Sequence, residues 1–286
     1  MYEKPFWRRA RRLILPVLGF FLVSGLAAAQ QEEAPVSPGS AVPGIFFPGL
    51  GGGHGFIEAG GGHSALTPGN PSWTDGYLRA VFAGPTNTIQ TEVTREDRYG
   101  DRGWYFTGGL THVFNQDWYA DGFVGFSSRN FFLPKYRADG FLHRKLLPHK
   151  QLVVAFGAGY EKAKDIHSAA RLNPEVNYYL RPSWVLQSGM IFTRGDPGGV
   201  MVHTQYFAVT QGQNKSHYIS VRGEYGREAY ELIGPTSVLV NFPIHDVSGT
   251  WRQWLGPNYG FNLTVERYNN YIFNRIGATA GLFVDF

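Results

Sequence analysis

Two groups of side chains in this sequence have chemistry to offer: a scatter of His and Ser, and a set of Arg, Asp and Glu at alternate positions. His167 and Ser168 are neighbours, and a Ser activated by a His is the nucleophile of many acyl-transfer hydrolases. On an extended strand neighbours point to opposite faces, so this pair cannot share a hydrogen bond without a bulge. His203 is expected to point inward beside Gln205, where a Ser of another strand would be its partner. No acyl-transfer motif surrounds it, so no catalytic residue is assigned and lipid hydrolysis stays a minor alternative.

The charged set is more coherent. Arg79, Glu92, Asp121, Arg171, Glu175, Arg222, Glu224, Arg252, Glu266 and Asp285 sit at positions that alternate with apolar residues, which places them on one face of their strands. A mixed-sign face of this kind either lines an aqueous path or pairs with itself to fill a closed interior. Other site chemistries fall away. The nine His are scattered, and the one pair singled out for metal-ligand spacing, His54 and His63, lies in glycine-rich chain, so no metal is implied. Gly157 and Gly159 lack the third glycine and the helix of a nucleotide fingerprint, and are expected to make room for bulky neighbours on a strand. No cofactor is expected.

Those side chains must be carried by something, and the N-terminal segment indicates where. Lys4, Arg8, Arg9, Arg11 and Arg12 precede an apolar run from Leu13 to Leu26, followed by Ala27, Ala28 and Ala29. Basic, apolar and small-residue sections in that order are a secretory signal, here residues 1–29, with cleavage expected before Gln30. The alternative, a retained anchor, is disfavoured because Pro16 interrupts a run short of the roughly 20 residues a spanning helix needs. The leader carries five of the 26 Lys and Arg and one of the 22 Asp and Glu, which leaves 21 of each. The remaining chain is neutral, so the pI of 9.2 of the full sequence is no argument for nucleic-acid binding. Cys is absent, which excludes a disulfide framework and a lipidated N-terminal cysteine.

Residues 30–54 are rich in Pro and Gly and read as a flexible segment, in which Ile45, Phe46 and Phe47 are the candidates for a small plug. From 55 to 286 the dominant period is two. Phe261, Leu263 and Val265 alternate with Asn262, Thr264 and Glu266, and Leu172, Pro174, Val176 and Tyr178 with Arg171, Asn173, Glu175 and Asn177. Alternation suits a soluble sandwich as well as a membrane barrel, with the faces inverted. Strand length decides for the barrel: stretches such as 102–114 and 151–161 match the roughly 9–11 residues of a tilted spanning strand.

Tight turns recur at Gly84–Asn87, Asn115–Asp117, Leu147–His149, Arg181–Ser183, Gly212–Asn214 and Gly256–Asn258. Between them lie reversals expected to be long, the longest from Arg227 to His245. Trp104, Phe114, Trp118, Tyr160, Tyr179, Trp184, Phe192, Trp254 and Tyr259 gather near strand ends, where interfacial girdles belong. The expected fold is a transmembrane antiparallel up-and-down β-barrel of fourteen strands, with twelve or sixteen as alternatives because 56–66 is glycine-rich and Val238–Phe242 has strand character. An even count puts both ends of the barrel in the periplasm, with the tight turns.

The final strand alternates Ile276, Ala278, Ala280, Leu282, Val284 and Phe286 with Gly277, Thr279, Gly281, Phe283 and Asp285. A terminal aromatic on such a strand resembles the signal read by the barrel assembly machinery, which makes Phe286 the candidate assembly signal.

Residues 122–224 resemble the YaiO-type outer-membrane β-barrel proteins. The likeness rests on Ser128-Arg-Asn-Phe-Phe-Leu-Pro-Lys-Tyr-Arg137, the Gly140 strand and Gly157-Ala-Gly-Tyr160, joined by Trp254-Leu-Gly-Pro-Asn-Tyr-Gly260, Tyr268-Asn-Asn-Tyr271 and Arg275-Ile-Gly277. The resemblance implies an outer-membrane location in a Gram-negative cell and a link to exopolysaccharide or envelope biology, and brings no assigned functional residues. The partners to expect are outer-membrane lipid and lipopolysaccharide, the assembly machinery and a polysaccharide, around a monomeric pore or surface barrel. A closed structural or ligand-binding barrel is the first alternative, and a lipid A or phospholipid hydrolase the second.

Overall fold

The computed structural model describes residues 54–67, 69, 71–128, 130–181 and 183–286. The leader, its cleavage point, residues 30–53 and Arg129 lie outside the described residues. The first half of the wall is β1 (His54–Thr67), β2 (Trp73–Ala83), β3 (Asn87–Arg98), β4 (Asp101–Val113), β5 (Trp118–Ser127), β6 (Tyr136–Leu146) and β7 (Leu152–Lys162). The second is β8 (Ser168–Arg181), β9 (Trp184–Asp196), β10 (Val200–Gln213), β11 (His217–Leu232), β12 (Val238–Trp254), β13 (Tyr259–Asn269) and β14 (Asn274–Asp285). Each strand pairs antiparallel with its chain neighbours, and β1 pairs with β14, so the sheet closes into a fourteen-stranded barrel. At the seam Phe56 faces Asp285, and Gly55 and Phe286 exchange N–H···O bonds of 2.9 Å in both directions. Closure is what allows strands to cross hydrocarbon, since an open edge would leave backbone groups with nothing to bond.

The period-two pattern sorts the side chains. Leu78, Phe82, Val124, Phe126, Phe156, Val265 and Leu282 point out and are exposed, Leu282 to 70 %. Polar positions such as Glu58, Asp121, Asn173 and Arg252 point in and are buried, Glu58 to 0 % exposure. Apolar residues outside and charges inside are the inversion that marks a membrane barrel rather than a sandwich. Gly157 fits the same logic: its inward Cβ would run into the ring of Phe141 on the neighbouring strand, and one on Gly159 would meet the Asp139 carboxylate.

Three expectations are corrected. Val238–Phe242 is strand, as its sequence allowed, but it adds none to the fourteen; it extends β12 to 17 residues and β11 to 16, so the long reversal expected from Arg227 to His245 shrinks to a turn around Gly234. Paired backbone needs no water, which is why the hairpin can project beyond the roughly 9–11 residues that span a bilayer. Tyr179 and Trp254 are not girdle residues; both point inward, Tyr179 into a cluster with Tyr119 and Val153, and Trp254 toward Asp285, while Trp104, Phe114, Tyr160, Trp184, Phe192 and Tyr259 are exposed. His203 faces outward beside the exposed ring of Phe192, because Val202, Thr204 and Tyr206 take the inward positions of β10. Gln205 is outward as well, accepting a 2.5 Å hydrogen bond from Tyr225 on β11.

Candidate functional site

All ten charged residues singled out above project into the interior, held there by strand parity. They form three levels. At the end with the short turns, Glu58 accepts from Tyr77 at 2.6 Å, from Arg252 at 2.8 Å and from Asn262 at 3.3 Å. Gly281 makes this possible, since a Cβ there would collide with the Tyr77 hydroxyl. The Arg252 guanidinium also lies 3.6 Å from the centroid of Phe283 and 4.5 Å from that of Phe56. Asp285 joins from the rim, 2.6 Å from Lys215 and 2.7 Å from the indole nitrogen of Trp254.

At mid-height the pairs run along the wall. Arg79 meets Glu92 directly opposite on β3 at 2.6 Å, and Arg222 meets Glu224 on its own strand at 2.9 Å. Arg222 also covers the ring of Tyr206, whose hydroxyl donates to Glu175. Asp121 takes His143 at 2.5 Å, and that imidazole stacks on Tyr119 with ring centroids 4.2 Å apart. The side chains of Arg79, Glu92, Arg222 and Glu224 keep 12–16 % of their surface accessible. These mid-height charges are thus paired along the wall and keep part of their surface accessible.

Toward the opposite end Arg137 bonds Asp139, Arg171 bonds Glu161, and Arg275 bonds Glu266. Above them the mouth is covered. Leu66, Trp73, Leu239, Phe242, Ile244, Tyr268 and Phe273 form one buried apolar cluster against which Tyr99 and Ile233 pack. Arg98 and Arg275 both lie over Trp73, at 4.8 and 5.0 Å. The cover is fastened by Tyr99, in the turn after β3, whose hydroxyl donates to Glu231 of β11 at 2.9 Å. These strands stand six places apart around the ring, so the bond spans the mouth. Tyr99 can reach because it adopts a positive φ of 55°, followed by Gly100 at 76°. Burial, and then the adjacent Glu231, push the Tyr99 hydroxyl above its ordinary range.

Sequence reasoning missed Glu58, Arg137, Asp139 and Arg275. Parity within Tyr136–Phe141 and Arg275–Asp285 was enough to place the last three on the inner face. Tyr99 and Glu231 carried no such signal, being 132 residues apart and joined only by closure of the ring.

The remaining chemistry candidates are not brought together. His167 is in the β7–β8 loop, where its Nδ1 is 2.6 Å from Asp165 and its ring packs on Tyr230. Although partial burial works the other way, the backbone N–H and ring of His167 hold the Asp165 carboxyl below its ordinary range. Ser168 opens β8 on the outward face. His54 and His63 fall on opposite faces of β1.

Among solved structures, the CymD monoaromatic hydrocarbon channel superposes with a TM-score of 0.51 at 8 % identity, covering 82 % of this chain and 88 % of that one. The outer membrane protein Omp33 of Acinetobacter baumannii gives 0.47 at 11 % identity, over 80 % of this chain and 97 % of its own. At such identities the CymD likeness speaks for the fold alone. No curated protein matches the sequence. The YaiO membrane beta barrel domain matches residues 55–231, from the first residues of β1 through nearly all of β11. This chain belongs to the YaiO family of outer-membrane β-barrels.

Proposed function

We propose that this barrel is a gated passage for polar solute in the outer membrane, working in surface-glycan export or envelope biogenesis. The observation that carries the reading is the direction of its ion pairing: at mid-height the charges pair along the wall, leaving partly accessible polar side chains facing the axis. A barrel built as a solid post would fill its centre with packed side chains instead. The cover at the end opposite Phe286 is then a gate, and the Tyr99–Glu231 bond its latch. Residues 1–29 direct export, the short-turn end and the segment 30–53 lie in the periplasm, and the covered mouth faces outward. The glycan association is supported by the rings presented at that mouth, among them Tyr271 at 61 % exposure, since aromatic faces stack on sugar rings. Assembly machinery and lipopolysaccharide are the membrane partners of this reading, and no step of catalysis is assigned.

Planar-bilayer recording and liposome uptake test it. Purified barrel is expected to conduct in discrete steps, and the Tyr99→Ala variant to conduct more often or at a higher level. Neither protein conducting, with no entry of neutral sugar into liposomes, would overturn the passage.

A further inference from the structure

We propose that the interior selects cations, so that the solute admitted is an amine-bearing or otherwise positive one. This rests on the passage reading and sharpens it. The chain beyond residue 29 is neutral, yet its charges are sorted radially. Among the described side chains, inward-facing strand positions carry fifteen Asp or Glu and only eight Arg or Lys. The missing cations are outside: Arg95, Arg144, Arg194 and Arg267 all point outward and are exposed. Lateral ion pairs therefore engage about half of the inner carboxylates and leave the rest on a low-dielectric wall without a basic partner in an ion pair among the described residues. Such a wall concentrates cations and repels anions, as rings of Asp and Glu do in cation channels.

A second observation is independent of that balance. Carboxylate oxygens at two levels of the path are buried with no donor among the described residues: Oδ1 of Asp121 at mid-height, and Oδ2 of Asp75 and Oε2 of Glu231 toward the covered mouth. Asp121 as a whole is only 6 % exposed. Glu228, which also faces inward, has no hydrogen-bond or ion-pair partner among the described residues. Buried acceptors are seldom left without donors, because the desolvation cost goes unrepaid. An ammonium group supplies several N–H donors and the missing positive charge together.

Calorimetric titration of spermidine into the detergent-solubilised barrel tests this, beside reversal potentials in a KCl gradient. Spermidine is expected to bind, less tightly as salt rises, and any current to be carried mainly by potassium. Glu228→Gln combined with Asp75→Asn is expected to lower spermidine affinity severalfold; Glu231→Gln serves if that pair does not fold. No binding, binding indifferent to these variants, or a chloride-preferring reversal potential would each overturn the inference. Spermidine binding without conductance would uphold the cation-binding interior and remove the passage.

Discussion

Arg252 of β12 and Glu58 of β1 meet at 2.8 Å across the two intervening strands, and both are withdrawn from solvent, at 3 % and 0 % exposure. A buried pair of this kind is costly to break from one side, because the surviving charge keeps its burial and loses its counter-charge. Glu58→Ala or Arg252→Ala is expected to cost about 3–5 kcal/mol, read from unfolding midpoints in urea with the barrel in detergent or vesicles. Glu58→Gln should lose less, since its amide oxygen still accepts from Tyr77 or Asn262. Single variants as stable as the parent would show that the pair is open to water.

The seam can be tested covalently, since the chain has no cysteine of its own. Ala59 of β1 and Leu282 of β14 are register partners. Cysteines at these two positions are expected to cross-link on mild oxidation and shift migration on a non-reducing gel. Cysteines at 59 and 278, offset along β14, should not. Equal cross-linking of both pairs would mean that the register slips.

Gly157 tests the packing of the inner face. Gly157→Ala drives a methyl into the Phe141 ring, and overpacking of a fitted site typically costs about 1–3 kcal/mol. Adding Phe141→Leu in the same chain should restore much of the loss, which distinguishes a steric cause from a backbone one. Unfolding midpoints of the single and double variants give the comparison.

The latch carries a pH signature. Burial and the neighbouring Glu231 raise the Tyr99 pKa in the folded chain, so its contribution to stability is fully present below about pH 10, the ordinary tyrosine value, and is lost as pH rises through the raised one. Phenolate absorbance of the folded barrel, with Tyr99→Phe subtracted, should rise only above the range of the exposed tyrosines. A difference that titrates with the bulk would mean that Tyr99 is not held in the cover.

Much of the wall was legible in the sequence because it is governed by a local rule. Alternation in Phe261–Glu266 and Leu172–Tyr178 reported the correct faces, and the strand count came from turn chemistry. The rule failed where inner and outer residues do not differ in polarity. On β10 the inward Val202 and Ala208 are apolar, whereas the outward His203 and Gln205 are polar, so reading polarity as inwardness put His203 on the wrong face. The cover was illegible for another reason. Trp73, Phe242, Tyr268 and Phe273 come together only when strands far apart in the chain are bent into a ring, and no short window records that.

The β1–β14 pairing also has a kinetic meaning. It joins residues more than 200 positions apart, such as Phe56 and Asp285, so its loop-closure entropy is the largest in the wall, and it is the contact expected to form last. Until it forms, the other strands are an open sheet with two adhesive margins, the arrangement most prone to join with a second copy. Maturation of this barrel is thus a race between zipping its own margins and aggregating through them, and the Gly55–Phe286 contact marks one end of the zip.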